Sequence, residues 1–396
     1  MAPQFETIVL GLGAAGSATL YQLAKRGRSV LGIDRFSPPH GEGSSHGDTR
    51  ITRLAIGEGA QYTPLALRAH EIWRELEKET GRSLLTTDGA LILSSAARTS
   101  VTHVATFFAN TLAAAKRFEI AHEILDANAL RRRFPLFNVA DDEIGYFEPS
   151  AGFVRPEECI RAQLDLAEAK GATIHRDETV LGFDASDARV TVTTDRAAYS
   201  CAHLIVAAGA WLPEWMGRDV ARWFKVYRQV LYWFDIEGDA AEYALDRFPV
   251  FIWELQGKPQ GVYGFPAIDG PRGGLKVSTE SFGATTTPQT VTRTVTPEEI
   301  AAMHRDYVAP YLRGVGARCL RATTCLYTVT PDFGFVIDRH PRSDRVIVAS
   351  PCSGHGFKHS AAVGEALAQW IVDGQSRIDL GAFALRRFDS LSPTGG

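Results

Sequence analysis

A short apolar run, Ile8-Val9-Leu10, leads directly into Gly11-Leu12-Gly13-Ala14-Ala15-Gly16 and then into the helix-forming residues 17–26. No other stretch constrains the fold as strongly. Gly11 permits a tight turn after a strand, Gly13 lets a diphosphate approach the backbone, and Gly16 allows the helix to pack closely on the strand, with Ala15 inside the same turn. The helix N-terminus then presents free N–H groups and a positive dipole end to phosphate oxygens. Gly27 ends the helix, residues 29–33 read as a second buried strand, and Asp34 stands at its end, 23 residues after Gly11. An acid there accepts hydrogen bonds from adenosine ribose hydroxyls and repels a 2′-phosphate. That disfavours NADP and leaves NAD and FAD open.

The rest of the chain is read around this start. Residues 43–53 combine glycines and small hydroxyls with Arg50 and Arg53, a composition equally suited to wrapping an anionic cofactor and to an ordinary surface loop. Thr63-Pro64 is expected to cap and open a helix with Leu65, Ala69, Ile72, Trp73 and Leu76 on its apolar face. A turn-rich segment at 145–155 precedes a helix over 156–170. Residues 203–208 form a strand running into Gly209-Ala210-Trp211, either a returning strand of the nucleotide-binding sheet or simply packing. From 223 to 291 alternating aromatic-rich runs separated by Gly and Pro predict antiparallel sheet in a second domain. At the end, a strand at 345–349, a turn Ser353-Gly354-His355-Gly356 and a helix over 357–373 repeat the logic of the start. A phosphate or flavin ring fits that helix N-terminus; His355 and Lys358 there read either as structural and solvated side chains or as ligands.

Composition removes other classes. Lys+Arg 42 against Asp+Glu 46 gives a net charge of -4, and the densest basic run is only Arg131-Arg132-Arg133, so nucleic acid is not an expected partner. No apolar stretch approaches the length that crosses a bilayer, and no basic region precedes an apolar one at the N-terminus. Residues 393–396 lack a peroxisomal tripeptide, so a cytoplasmic location is expected. Five cysteines, Cys159, Cys201, Cys319, Cys325 and Cys352, include no Cys-x-x-Cys pair, which argues against a disulfide framework and against a metal site.

With these pieces in view, the sequence resembles the monomeric sarcosine oxidase and N-methyltryptophan oxidase family of FAD-dependent amine oxidases over nearly its whole length. The matching pieces are Gly-Leu-Gly-Ala-Ala-Gly at 11–16, His46-Gly47-Asp48-Thr49-Arg50 with Arg53, Tyr62 with residues 64–68, and Phe147-Glu148-Pro149. Further on come Gly209-Ala210-Trp211, Tyr227-Arg228-Gln229-Val230, Gly264-Phe265-Pro266, Gly274-Leu275-Lys276, Cys325-Leu326-Tyr327-Thr328 and Ser353-Gly354-His355-Gly356-Phe357-Lys358. The resemblance implies FAD rather than NAD, joined through a thioether to Cys325, a residue that local text alone reads as a buried spare cysteine. It implies a cofactor site made from Gly11, Gly13, Ala15, Gly16, Asp34, Arg35, Ser44, Ser45, His46, Thr49, Arg50, Val180, Ala208, Gly209, Trp211, Cys325, Gly354, His355, Gly356, Phe357 and Lys358.

By the same resemblance Arg50 and Lys276 lie on opposite faces of the flavin, with Lys276 at the oxygen site, where a fixed cation stabilises the anion made by the first electron. Tyr327 and His355 complete the catalytic set, while Arg53 and Lys358 hold the substrate carboxylate, an Arg fork and a Lys point charge. Tyr263, Glu280 and Trp253 are the further substrate-pocket positions. Two depart from the pattern: Glu280 stands where sarcosine oxidase has a histidine, and Trp253 where the family has an aliphatic residue. A cavity-facing Glu280 implies a substrate with a second polar or basic group, or a larger N-substituted amino acid in another register; a solvent-facing Glu280 is the other reading. The implied reaction is oxidation of a secondary or cyclic amino acid at the carbon beside nitrogen, imine hydrolysis, and reduction of O2 to H2O2 by a monomer. Removal of an N-carboxymethyl group, an amine dehydrogenase not using O2, an NAD-type oxidoreductase and a flavin binder without turnover are the alternatives.

The expected architecture is α/β, a Rossmann-like FAD-binding domain made from 1–85, 145–215 and 325–396. Interleaved with it is a mostly antiparallel, α+β substrate domain made from 86–144 and 216–324.

Overall fold

In a computed structural model, which describes residues 3–270 and 272–389, the strand Gln4–Leu10 sits centrally in an eight-stranded sheet. Residues 393–396 lie outside the described part. The strand pairs in parallel with Val30–Ile33 on one side and Ala198–Val206 on the other, so that Leu10 lies opposite both Ile33 and Val206. Thr173–His175 extends the sheet beyond Val30–Ile33, and Ser343–Ser350 runs parallel to Ala198–Val206. Ile8, Val9, Leu204, Ile205 and Val206 have no exposed surface. Continuous apolar runs of this kind are what a parallel sheet covered on both faces requires. One face carries the helices Ala14–Lys25, Pro156–Ala169 and Ser360–Asp373. The other packs on Val180, Val190, Leu212, Met216 and Phe224.

A nine-stranded second sheet is built on two long antiparallel strands, Lys225–Ile236 and Val315–Val329. Val262–Gly264 and Leu275–Thr279 pair antiparallel within it, and Val250–Trp253 is joined in parallel to Ala90–Ser95. The antiparallel character expected for 223–291 is therefore present, with one parallel pair. A small three-stranded sheet, Arg50–Thr52, Gly152–Val154 and Leu85–Thr86, presents Arg50 to the cavity.

The chain thus has an α/β, Rossmann-like fold with a second, mostly antiparallel unit. Sheet membership differs from the expected segment limits at two places. Position 325 lies inside the strand Val315–Val329, and the strand Glu143–Glu148 pairs with Ala90–Ser95, so both edges fall within the second sheet. Thr63 is the first residue of its helix rather than the cap; Tyr62 occupies the capping position and Pro64 follows within the first turn. Among the described residues no helix is long and apolar enough to cross a membrane.

Candidate active site

Between the two large sheets lies a cavity of about 520 Å³ that runs from the glycine turn to Lys358. At its first end Gly11 adopts φ +86°, and a Cβ there would stand 2.6 Å from the Ala207 carbonyl oxygen. A Cβ on Gly16 would stand 1.7 Å from the Gly11 carbonyl oxygen, so the helix can start beneath the turn only with glycine there. Asp34 Oδ2 accepts from the Leu12 amide at 2.7 Å and Oδ1 from the Phe36 amide at 2.8 Å. The carboxylate clamps the glycine turn to the end of the second strand as well as facing the cavity. Ser45 Oγ accepts from the Ala14 amide at 3.3 Å, while the Arg35 guanidinium lies 5.7 Å from the Trp211 ring. Ala15, Ser44, Val180, Ala208 and Gly209 line the same end. Backbone without Cβ at the turn, a helix N-terminus and a fixed carboxylate fit the diphosphate and ribose of FAD.

The middle of the cavity is formed by Thr49, Arg50, Tyr263, Lys276, Tyr327 and Cys352. Arg50 donates to the carbonyls of Ser44 (2.7 Å) and Thr49 (2.8 Å). Lys276, 3% exposed, donates to Gly47 O (2.6 Å), Thr49 O (2.9 Å) and Thr49 Oγ1 (3.0 Å) and lies 4.6 Å from the Phe265 ring. Burial, and then the Arg50 charge, push its ammonium well below the usual lysine range. Burial likewise raises both phenols, Tyr263 to about 12 and Tyr327 well above its ordinary value. Cys325 is fully buried with Leu231, Trp233 and Tyr327 and does not itself line the cavity. Its thiol is raised by burial and opposed by the charges of Arg50 and Lys276. His46 is buried behind the lining, and burial, with Arg50 and Lys276, holds it down at about 3.

At the far end Arg53 and Lys358 converge on a residue that sequence reasoning missed, Glu58. Arg53 Nη2 lies 2.6 Å from Glu58 Oε2, and Arg53 also donates to the Ala55 carbonyl. Lys358 Nζ is 3.6 Å from Glu58 Oε1 and donates to the His355 carbonyl at 2.8 Å. Burial alone would raise the Glu58 carboxyl, but Arg53, and then Lys358, outweigh it and hold it well below the usual range. Burial lowers Lys358 to about 8 against the pull of Glu58. His355 is held neutral, at about 3, by burial, and shares a 3.0 Å hydrogen bond between Nε2 and the Phe333 carbonyl. A second missed residue, His103, closes the pocket from the segment before the helix Phe107–Arg117. Its Nε2 donates to Glu280 at 3.0 Å and its Nδ1 lies 3.4 Å from Glu58 Oε1. Neither Glu58 nor His103 belongs to a periodic pattern or a recognisable motif in the sequence.

Glu280 therefore faces the cavity rather than solvent. Gly354, Gly356 and Phe357 line it from the turn before the last helix. Trp253 does not belong to the pocket. Side chains alternate along a strand, and in Val250–Trp253 it is Ile252 that lines the cavity. Trp253 points into the opposite core, fully buried, with Nε1 donating to Glu143 Oε1 at 2.6 Å and its ring against Phe137 and Tyr311. Among the described residues no group of His, Cys, Asp and Glu is placed to hold a metal ion.

A dinucleotide cradle that continues into a pocket of paired buried charges fits a flavin-dependent oxidoreductase. The model of the FAD dependent oxidoreductase family matches residues 6–370, and the chain belongs to that family. It is 39% identical over 388 residues to a monomeric sarcosine oxidase of Streptomyces avermitilis, covering 98% of each chain. Identity to an N-methyl-L-tryptophan oxidase of Yersinia pestis is 33% over 392 residues, covering 97% of this chain and 99% of the other. Among solved structures, NikD, described as an unusual amino acid oxidase essential for nikkomycin biosynthesis, superposes with a TM-score of 0.81 at 22% identity, covering 96% of this chain and 97% of that one.

Proposed function

We propose that this enzyme oxidises the carbon–nitrogen bond of a secondary (N-alkyl) or cyclic amino acid, with O2 as electron acceptor and H2O2 as product, acting as a monomer. The observation that carries the reading is the buried Arg53–Glu58–Lys358 cluster at the end of the cavity away from the glycine turn. A guanidinium fork and an ammonium held 2.6 and 3.6 Å from one internal carboxylate are preorganised to take a second carboxylate from a ligand. The names of the relatives, sarcosine oxidase and N-methyl-L-tryptophan oxidase, agree with an N-methylated amino acid as that ligand.

Bound FAD supplies acceptance of a hydride equivalent from the carbon beside nitrogen and delivery of two electrons to oxygen. The chain's own residues supply the rest. Arg53 and Lys358 anchor the carboxylate and so fix which carbon approaches the reacting centre. Their charge disfavours an ammonium nearby, so the amine binds with its lone pair free, and His103 offsets Glu280, which otherwise would hold the ammonium form. Tyr263, Tyr327 and Phe282 wall the pocket from water. Lys276, anchored on the 47–49 backbone, stands ready to share a proton or stabilise an anion formed beside it. Cys325 is the proposed covalent attachment point, its sulfur within the field of Arg50 and Lys276.

The test is anaerobic bleaching of the purified yellow protein by sarcosine, N-methyl amino acids, proline, pipecolate, glycine and N-carboxymethyl amino acids, followed by admission of air. Bleaching by an N-alkyl or cyclic amino acid with stoichiometric peroxide on re-oxidation is expected. Bleaching without peroxide assigns a dehydrogenase, and a flavin that no amine bleaches removes the reading.

A further inference from the structure

Glu280 departs from a neutral or cationic pocket wall, and the structure supplies its partner from the other side of the cavity. Residues 98–103 are pinned before they reach it: the amides of Thr99 and Ser100 donate to the Leu255 carbonyl at 2.9 and 3.0 Å, and Ser100 Oγ accepts from the Leu255 amide at 2.6 Å. Arg98 adds an ion pair to the buried Glu254 at 3.2 Å. The segment thus delivers His103 as a fixed side chain, 5% exposed, rather than as a mobile cover. A Cβ on Gly354 would stand 2.7 Å from His103 Nε2 and 3.1 Å from Glu280 Oε1, so the pair rests directly on the turn that borders the proposed flavin position.

Both ring nitrogens of His103 face carboxylates, Glu58 on one side and Glu280 on the other, and only the imidazolium is complementary to both. The two carboxylates outweigh burial and raise the ring to about 9, so it is charged at neutral pH. At pH 7 the substrate end therefore holds three cations, Arg53, Lys358 and His103, against two anions, Glu58 and Glu280. The balance is one positive charge, enough for one ligand carboxylate. His103, 3.4 Å from Glu58, gives that carboxylate a partner besides Arg53 and Lys358.

We infer that His103 and Glu280 are the specificity-determining pair of this pocket, and that they restrict the substrate to an amino acid with a single carboxylate and an uncharged side chain. The inference rests on the N-alkyl amino acid reading above. A second carboxylate would enter a site already neutral and lie against Glu280, and the basic group that a cavity-facing Glu280 taken alone suggests is disfavoured because His103, 3.0 Å away, already occupies that carboxylate. A like charge about 6 Å away at the dielectric typical of protein sites weakens binding by about 100-fold.

The test compares isosteres on the holoenzyme. N-methylasparagine and N-methylaspartate are compared by anaerobic bleaching, succinamate and succinate by the shift they cause in the flavin spectrum. In the wild type the dicarboxylate of each pair should bind about 100-fold more weakly. Glu280→Gln should narrow that gap at least tenfold and His103→Gln should widen it, opposite signs that general damage to the pocket does not produce. Equal binding of the two members of either pair by the wild type, or a gap moved the same way by both variants, overturns the inference. If none of the amino acids bleaches the flavin, the reading of the function fails, while succinamate against succinate still decides the charge selection.

Discussion

Replacing Glu58 by glutamine should lower stability and raise affinity for carboxylates at the same time. Glu58 is 4% exposed and is the shared counter-ion of Arg53 at 2.6 Å, His103 at 3.4 Å and Lys358 at 3.6 Å. The amide keeps an oxygen for the Arg53 fork but removes the charge, and the local balance rises from one positive charge to two. Breaking a buried ion pair by deleting one partner costs about 3–5 kcal/mol, and the lower end applies because the Arg53 hydrogen bond survives. The same surplus charge should tighten a monocarboxylate by about tenfold, ~1.4 kcal/mol. Urea unfolding at pH 7 measures the first effect and titration of the flavin spectrum with succinamate the second. The stability gap between the two proteins should close on acidification: a carboxylate held low in the folded state contributes above the unfolded value, about 4.3, and loses that contribution as pH falls through the folded one. Unchanged stability, or weaker succinamate binding, would refute the assignment of Glu58 as the internal occupant of the carboxylate site.

Three further outcomes are expected. Cys325→Ser should leave the flavin extractable by acid while Cys352→Ser does not; since Cys352 is the thiol that lines the cavity, the reverse result would move the linkage to it. Lys276→Met should slow re-oxidation of the reduced flavin far more than its reduction by substrate, and equal slowing of both in stopped flow would remove Lys276 from the oxygen site. Binding of succinamate should weaken as pH rises past about 8, where Lys358 loses its charge, and again past about 9 with His103; both groups face Glu58. A dissociation constant flat to pH 10 would detach the carboxylate from Lys358.

Much of the nucleotide-binding half was legible because its signals are local. Strand, glycines, helix, second strand and Asp34 lie within about thirty residues, and two of the three glycines answer a steric demand within the protein: the turn at Gly11 and the helix start at Gly16 are blocked to any Cβ. The aromatic-rich runs of the second sheet were equally plain from their alternation. Trp253 shows the limit of such reading. Alternation says that neighbours on a strand face opposite ways but not which of them faces the cavity, and here Ile252 does. The cysteine nearest the open cavity, Cys352, had no distinguishing signal either.

The residues alone specify a diphosphate turn and an acid for the ribose, while Arg53 and Lys358 became candidate anchors for a carboxylate through the family resemblance. What these two side chains face in the absence of a ligand is set by the fold. Glu58 reaches Lys358 across 300 residues of chain, and His103 reaches Glu280 across 177. The reason is physical. A charge in a buried site is set by the sum of its neighbours over a few ångströms, and in an interleaved fold those neighbours come from segments whose separation in sequence carries no trace of their proximity.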